Sequence, residues 1–178
     1  MEKINTVKGT KDLSGFNLMM HKKVCEIFSK LCESKSFQEI NTPIIENSKV
    51  FKKTLGVTSD IIQKEMYSFV DQGGEEIVLR PEGTAAVARA LITNSMLDNL
   101  NKKFYYVGPM FRREKPQTGR LRQFHQVGIE IFDEKNPFND VESILIAEKF
   151  LKLLGIRDKI KLEINTLGNL ESRKNYIS

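Results

Sequence analysis

Phe111-Arg112-Arg113-Glu114-Lys115-Pro116-Gln117-Thr118-Gly119-Arg120-Leu121-Arg122-Gln123-Phe124-His125-Gln126-Val127-Gly128-Ile129-Glu130-Ile131-Phe132 is a basic loop that runs into an alternating strand. Four arginines and a lysine fall within eleven residues, interrupted by a Pro-x-x-Gly turn. Successive strand residues point to opposite faces. Phe124, Gln126, Gly128, Glu130 and Phe132 therefore share one face, and His125, Val127, Ile129 and Ile131 share the other. The second face is nearly all apolar and reads as core. The first combines a ring, an amide, a bare glycine and a carboxylate. It reads as the floor of a polar ligand site with arginines at its mouth.

Working outward, Lys103 to Phe111 precedes the loop as a second strand. Met66 to Val70 and Glu76 to Arg80 flank Asp71-Gln72-Gly73-Gly74 as a hairpin. Helical periodicity marks Asn17 to Ser34, Gly83 to Leu97 and Asn139 to Leu154, the last ended by Gly155, with a short helix at Val50 to Leu55. Phe37 to Asn41 reads as a strand stopped at Thr42-Pro43. Ile160 to Asn165 reads as a last strand, and a further helix is expected to begin after Gly168-Asn169. Hairpin-joined strands with helices between them predict an α+β fold, an antiparallel sheet flanked by helices.

The chain has 178 residues, 40% apolar and 29% charged, enough for one domain with a core. No apolar run approaches the roughly 18 residues of a membrane span, and Met1 to Lys11 lacks a signal-peptide core. The expectation is a cytoplasmic protein with no membrane partner. The net charge of +5 is modest, but seven bases and one acid lie between Lys102 and Arg122, a field that attracts phosphates. Cys25 and Cys32 sit about 10.5 Å apart along a helix, beyond the ~7 Å a disulfide spans, and read as helix-face thiols. No cysteine or histidine has metal-ligand spacing, and no metal site is expected.

Arg112 and Arg113 alternate, so one faces the floor; an arginine fork suits phosphate, and Arg120 can fold over the same place. The bland alternative is a basic surface hairpin. Phe124 can stack on a flat ring or sit in the core. Glu130 can accept from an NH-bearing ligand or be solvated. In Leu79-Arg80-Pro81-Glu82-Gly83-Thr84-Ala85, Thr84 and Glu82 can serve a ligand, or cap a helix and complement its dipole. His21 and His125 read as structural.

Lys8-Gly9-Thr10-Lys11-Asp12, Thr42-Pro43-Ile44-Ile45-Glu46, Leu79 to Ala85 and the Arg112 to Gln126 segment together resemble histidyl-tRNA synthetase, in order and over essentially the whole chain. The resemblance implies a class II aminoacyl-tRNA synthetase catalytic fold with a six-stranded antiparallel sheet. It implies a homodimer built partly on the Pro43 segment. It implies that Arg112 binds the ATP α-phosphate and is catalytic, that Arg120 binds the γ-phosphate, that Glu114 meets the adenine amino group, and that Phe124 stacks on adenine. Glu82, Thr84 and Gln126 would hold the α-amino group of L-histidine, and Glu130 its imidazole. ATP, Mg²⁺ and tRNA(His) follow as cofactor and partners. Residues 1–178 correspond to the N-terminal part of the family's catalytic domain. The third class II motif, the histidine-specific loop and the anticodon-binding domain are missing from it, and a chain without them is not expected to be active alone. Two other readings share some of the residues: a histidine-sensing regulatory subunit of ATP phosphoribosyltransferase, and a non-enzymatic RNA-binding module.

Overall fold

The structure is a computed structural model that describes residues 3–55, 65–96, 102–115, 117, 119–134, 136–165 and 168. In chain order its elements are α1 (Gly15–Glu33), β1 (Gln38–Glu39), β2 (Ile45–Asn47), α2 (Ser48–Leu55), β3 (Tyr67–Val70), β4 (Glu76–Leu79), α3 (Thr84–Thr93), β5 (Lys102–Phe111), β6 (Gln123–Phe132) and α4 (Pro137–Leu153). A single 3₁₀ turn, Arg157–Lys159, follows. The α+β class is as expected.

The strands form two sheets. One has the order β1-β5-β6 and the other β2-β4-β3. The β5–β6 ladder is antiparallel from Lys102 opposite Phe132 to Phe111 opposite Gln123. Its neighbour β1 pairs parallel, with Gln38 opposite Phe104, so this sheet is mixed rather than purely antiparallel. The second sheet is antiparallel throughout. Its hairpin turn is fixed by Asp71, whose Oδ1 accepts from Glu75 N at 2.9 Å, and by Gly74 at φ 83°, a left-handed conformation glycine adopts freely.

Both faces of β5–β6 are packed. On one, Val107, Val127, Ile129 and Ile131 join Phe28, Leu31, Cys32, Phe37 and Ile146 beneath α1 and α4, as the alternation predicts. On the other, Phe104, Tyr106 and Met110 meet Val87 and Leu91 of α3. A third cluster, Phe51, Met66, Val78 and Ala85, joins α2 to the second sheet. Each fully buried large side chain contributes about 1.5–3 kcal/mol, whereas an exposed pair such as Lys23–Glu26 is screened by water. Packing on the two faces of the long ladder thus outweighs the surface ion pairs. Cys32 is fully buried, and burial pushes its thiol up to about 12. Both cysteines are free.

Several elements differ from expectation. Helix α4 starts two residues early because Pro137 takes the first helical position and the Asn136 side chain accepts from Phe138 N at 3.0 Å. Helix α3 stops at Thr93, where Asn94 Nδ2 donates back to Ala90 O at 2.9 Å and Ser95 turns left-handed. Strand β2 was not expected; its residues beyond Pro43 pair with β4. Residues 160–165, expected as a strand, form no ladder among the described residues, and Ile160, Leu162 and Ile164 are exposed. Alternation gives a strand its two faces, but a partner must supply its hydrogen bonds. Apart from Gly168, the helix expected after Gly168-Asn169 lies outside the described residues.

Arg80, at the end of β4, is only 4% exposed. Its Nη1 donates to Thr42 O at 2.7 Å and Thr42 Oγ1 at 3.1 Å, and its Nε donates to Pro109 O at 3.0 Å. Its backbone N–H donates to Ile44 O, and its carbonyl accepts from Phe111 N. Gly108 leaves the space for the guanidinium, because a Cβ there would collide with Arg80 Nη2. One residue thus ties the β1–β2 connector, the second sheet and β5. We expect Arg80→Ala to destabilise the chain by roughly 2–5 kcal/mol, through lost charge-assisted bonds and stranded carbonyls. Arg80→Lys should recover less than half of that, since lysine has no planar fork. Urea denaturation midpoints at constant slope measure both; an unchanged midpoint for Arg80→Ala would refute the bracing role.

Candidate functional site: an acidic and amide floor beside an arginine loop

The floor is set by the register of β5 and β6. Phe104, Tyr106, Gly108 and Met110 stand opposite Glu130, Gly128, Gln126 and Phe124, and opposed residues of an antiparallel pair share a face. The expected companions Phe124, Gln126 and Glu130 are together on this face. The start of α3 adds Glu82 and Thr84 to it. The Thr84 hydroxyl donates to Glu130 Oε1 at 2.6 Å.

Glu82 is buried and serves the helix. Its carboxylate accepts from Thr84 N at 2.6 Å and Ala85 N at 3.0 Å. It takes the capping role, with its charge at the positive end of α3. Thr84, the expected cap, sends its hydroxyl across to Glu130 instead. Burial raises the Glu130 carboxyl above its usual range; the Thr84 hydrogen bond opposes this and the nearby Glu82 charge adds to it.

Tyr106, which the sequence reading passed over, is the centre of the floor. It is buried, and burial pushes its phenol up to about 12, with Glu130 contributing next. Gln126 Nε2 donates to its hydroxyl at 3.3 Å. A Cβ added at Gly83 or at Gly128 would fall inside contact distance of the tyrosine ring. Both glycines are therefore there for space, and Gly128 has no left-handed φ to explain it otherwise. A bare glycine directly across a ladder from a tyrosine is the signal that could have found it. Among the described residues, Gln126 Oε1 is buried without a hydrogen-bond partner.

The arginine loop flanks the floor. Arg112 Nε donates to Pro81 O at 2.9 Å, and its guanidinium carbon lies 5.2 Å from the Phe124 ring centroid, over the ring. Glu114 lies between two cations, 3.8 Å from Arg112 Nη1 and 3.3 Å from Arg120 Nη1. Arg113 is exposed. The expected alternation of Arg112 and Arg113 holds. The base of the loop is anchored by the amino-terminal segment, where Gly9 O accepts from Arg122 N at 2.7 Å and Gln123 N at 3.4 Å. On the opposite face of β6, His125 meets the His21 ring edge-on at 4.2 Å between centroids. Among the described residues no group of three acidic, histidine or cysteine side chains is arranged to hold a metal.

Glu82, Thr84, Phe124, Gln126 and Glu130 border one face of β5–β6, Arg112 lies over Phe124, and Glu114 and Arg120 join Arg112 through ion pairs in the loop. The family model described as histidyl-tRNA synthetase matches residues 9–171. The chain belongs to the histidyl-tRNA synthetase family. It is 48% identical over 174 residues to the histidine–tRNA ligase of Gluconobacter oxydans, covering 98% of this chain and 42% of the relative. It is 48% identical over 175 residues to that of Thermotoga maritima, covering 98% and 41%. The apo histidyl-tRNA synthetase of S. aureus superposes with a TM-score of 0.79 at 34% identity, over 98% of this chain and 40% of that one. A Bacillus halodurans protein described as an ATP phosphoribosyltransferase regulatory subunit/histidyl-tRNA synthetase shares the fold, with a TM-score of 0.74 at 24% identity over 87% of this chain and 39% of that one. The chain spans about two fifths of the length of its curated synthetase relatives. Among the described residues no helix is long and apolar enough to cross a membrane.

The packing yields two predictions. Gly128→Ala should cost about 1–3 kcal/mol by overpacking against Tyr106. Gly128→Ala combined with Tyr106→Leu should recover much of it; a double variant no more stable than the single would show that the ring is not what Gly128 accommodates. Glu130 ionises less readily in the folded chain than in the unfolded one. Its contribution is therefore full below the ordinary carboxylate range and is lost as pH rises through its raised value. Glu130→Gln should melt higher than the parent at neutral pH, with the gain fading towards about pH 4. Melting curves across that range decide it, and a gain independent of pH would exclude burial of the charge as the cause.

Proposed function

We infer that the floor and the arginine loop are the amino-acid and nucleotide halves of a site for histidine activation. In the longer protein the histidine carboxylate would attack the ATP α-phosphorus, and the bond to pyrophosphate would break. The terminal ribose hydroxyl of tRNA(His) would then take the histidyl group from the adenylate, releasing AMP. No side chain of this chain has to become covalent. What it contributes is alignment and positive charge.

The supporting observation is Gln126 Oε1, buried and without a hydrogen-bond partner among the described residues, on the same strand face as the Glu130 carboxylate. An unpaired buried acceptor costs roughly 1–3 kcal/mol, which a bound ammonium removes. Glu82, Thr84 and Gln126 would hold the α-amino group, and Glu130 the imidazole N–H. Arg112 would sit at the α-phosphate, where charge grows as the leaving group departs. Arg120 would take the γ-phosphate, Glu114 the adenine amino group, and Phe124 the base. Without ligand, Glu114 holds Arg112 and Arg120, and Arg112 lies over Phe124. Nucleotide binding therefore means an exchange of partners in which phosphate replaces Glu114.

Mg²⁺ prefers one or two carboxylates together with phosphates and water. The described residues build no cage for it, and the positive charge this chain brings to the reacting phosphate is Arg112. A homodimer and a cytoplasmic setting complete the proposal. The family's full activity is proposed for the longer protein, with the present chain binding ATP weakly. The curated relatives at 48% identity carry the ligase name, which favours the synthetase over the regulatory subunit. A plain RNA-binding module leaves the buried Glu82 and Glu130 unexplained, because carboxylates repel a phosphate backbone.

Phe124→Ala should weaken ATP binding by roughly 1–3 kcal/mol if the ring stacks on the base, read by isothermal titration of the chain. Histidine-dependent pyrophosphate exchange by the longer protein tests the reaction itself. Unchanged ATP affinity in a folded Phe124→Ala chain would assign Phe124 to the core, and exchange indifferent to histidine would reject the substrate.

A further inference from the structure

The β5–β6 ladder ends at Phe111 opposite Gln123. The next pair would be Arg112 with Arg122, and half of it is made: Arg112 N donates to Arg122 O at 2.9 Å. A hydrogen-bonded antiparallel pair exchanges two such bonds. The second would run from Arg122 N to Arg112 O. Instead Arg122 N donates to Gly9 O at 2.7 Å, and Gln123 N reaches the same carbonyl at 3.4 Å. On the other arm, Arg113 N donates to Glu65 O at 2.6 Å. Two carbonyls from outside the hairpin therefore hold its arms apart where the arginine loop begins.

We propose that Gly9 is a positioning residue: its carbonyl takes the Arg122 N–H, ends the ladder, and so sets the spacing between Arg112 on one arm of the loop and Arg120 on the other. The proposal rests on the functional reading for its ligand, a nucleoside triphosphate whose first and last phosphates those arginines would meet. Across the opening the arms are linked by Glu114, 3.8 Å from Arg112 Nη1 and 3.3 Å from Arg120 Nη1. Arg122 Nε adds a bond to Glu114 O at 3.3 Å. These contacts draw the arms together, and the bonds to Gly9 and Glu65 oppose them. The balance presents two cations at a fixed spacing, which a chain of phosphates can meet without first ordering the loop.

Its backbone suits Gly9 to this task. It is the third residue of a Val7–Thr10 turn, closed by Thr10 N on Val7 O at 2.9 Å and braced by the Thr10 hydroxyl, which donates to the same oxygen at 2.7 Å. Its φ is 87°, a left-handed value at home in the third position of a tight turn. Asparagine tolerates that region, and a β-branched residue does not. Among the described residues, the three core clusters draw on nothing before Phe28. The turn can therefore be altered without opening the core.

The test compares Gly9→Val with Gly9→Asn in the 178-residue chain. Gly9→Val should turn the carbonyl away. The Arg122 N–H is then free to reach Arg112 O, and NMR should show the contact between the Arg112 and Arg122 amide protons that marks a completed pair, with faster exchange of the Gln123 amide. ATP should bind about tenfold more weakly, the loss of one well-placed charged contact. AMP, which lacks the phosphate meant for Arg120, should keep its affinity, as should L-histidine. Gly9→Asn should behave as the parent, and the unfolding midpoint should hold in both variants. A chain starting at Thr10, which has no such carbonyl, should match Gly9→Val. Equal losses for ATP and AMP, or full ATP affinity in the Gly9→Val chain, would make the turn a plain anchor and overturn the proposal. If the parent binds neither nucleotide, the functional reading fails, and the amide contact alone decides whether Gly9 ends the ladder; its absence from Gly9→Val rejects that role.

Discussion

Arg80 carries more of this structure than any other polar residue. A guanidinium almost out of water is tolerated only because three donor bonds end on Thr42 and Pro109. Burial still pulls its pKa down, partly offset by Glu46. Those bonds fix where the Thr42-Pro43 connector crosses the end of β5. The two sheets meet there, and Pro81, Glu82 and Gly83 follow at once in the chain. The start of α3, and with it the Glu82 cap and the Thr84 hydroxyl, is placed by that junction. A cation that touches none of the proposed ligands thus sets the position of two residues that do.

Much of this was legible in the sequence, because a strand's alternation is a local property. Membership of the floor by Phe124, Gln126 and Glu130 needed only counting by twos, and the core face of β6 came with it. The first helix, expected over 17–34 and found over 15–33, and the hairpin around Asp71 were equally local. What escaped depends on partners far along the chain. Tyr106 sat in plain view in an apolar strand, yet its role arises from Gly83 and Gly128, which lie 23 and 22 positions away. Arg80 looked like one residue of a turn, and its partners are 38 and 29 residues distant. Glu82 and Thr84 were read correctly as belonging to the helix start, but which of the two capped it was decided by Glu130 across the floor. The stretch 160–164 shows the converse: a good strand pattern that joins no ladder among the described residues.

The proposed site is electrostatically satisfied before any ligand arrives. Glu114 pairs with Arg112 and Arg120, the α3 amides donate to Glu82, and Thr84 donates to Glu130. Ligand groups would therefore replace internal partners rather than fill empty charge, and their net gain is the difference between two sets of bonds. Within the site, Gln126 Oε1 is left without a partner among the described residues.

The tyrosine clasped by two glycines also bears on how such a sequence can diverge. Positions 83, 106 and 128 share one small volume, so they cannot drift independently. A side chain gained at either glycine demands a smaller residue at 106, and the smaller residue gives up the phenol. Each single step passes through a clash or a hole. Lineages descended from such a chain should keep the trio together or change it in concert, leaving a covarying triplet in place of three separately tolerant sites.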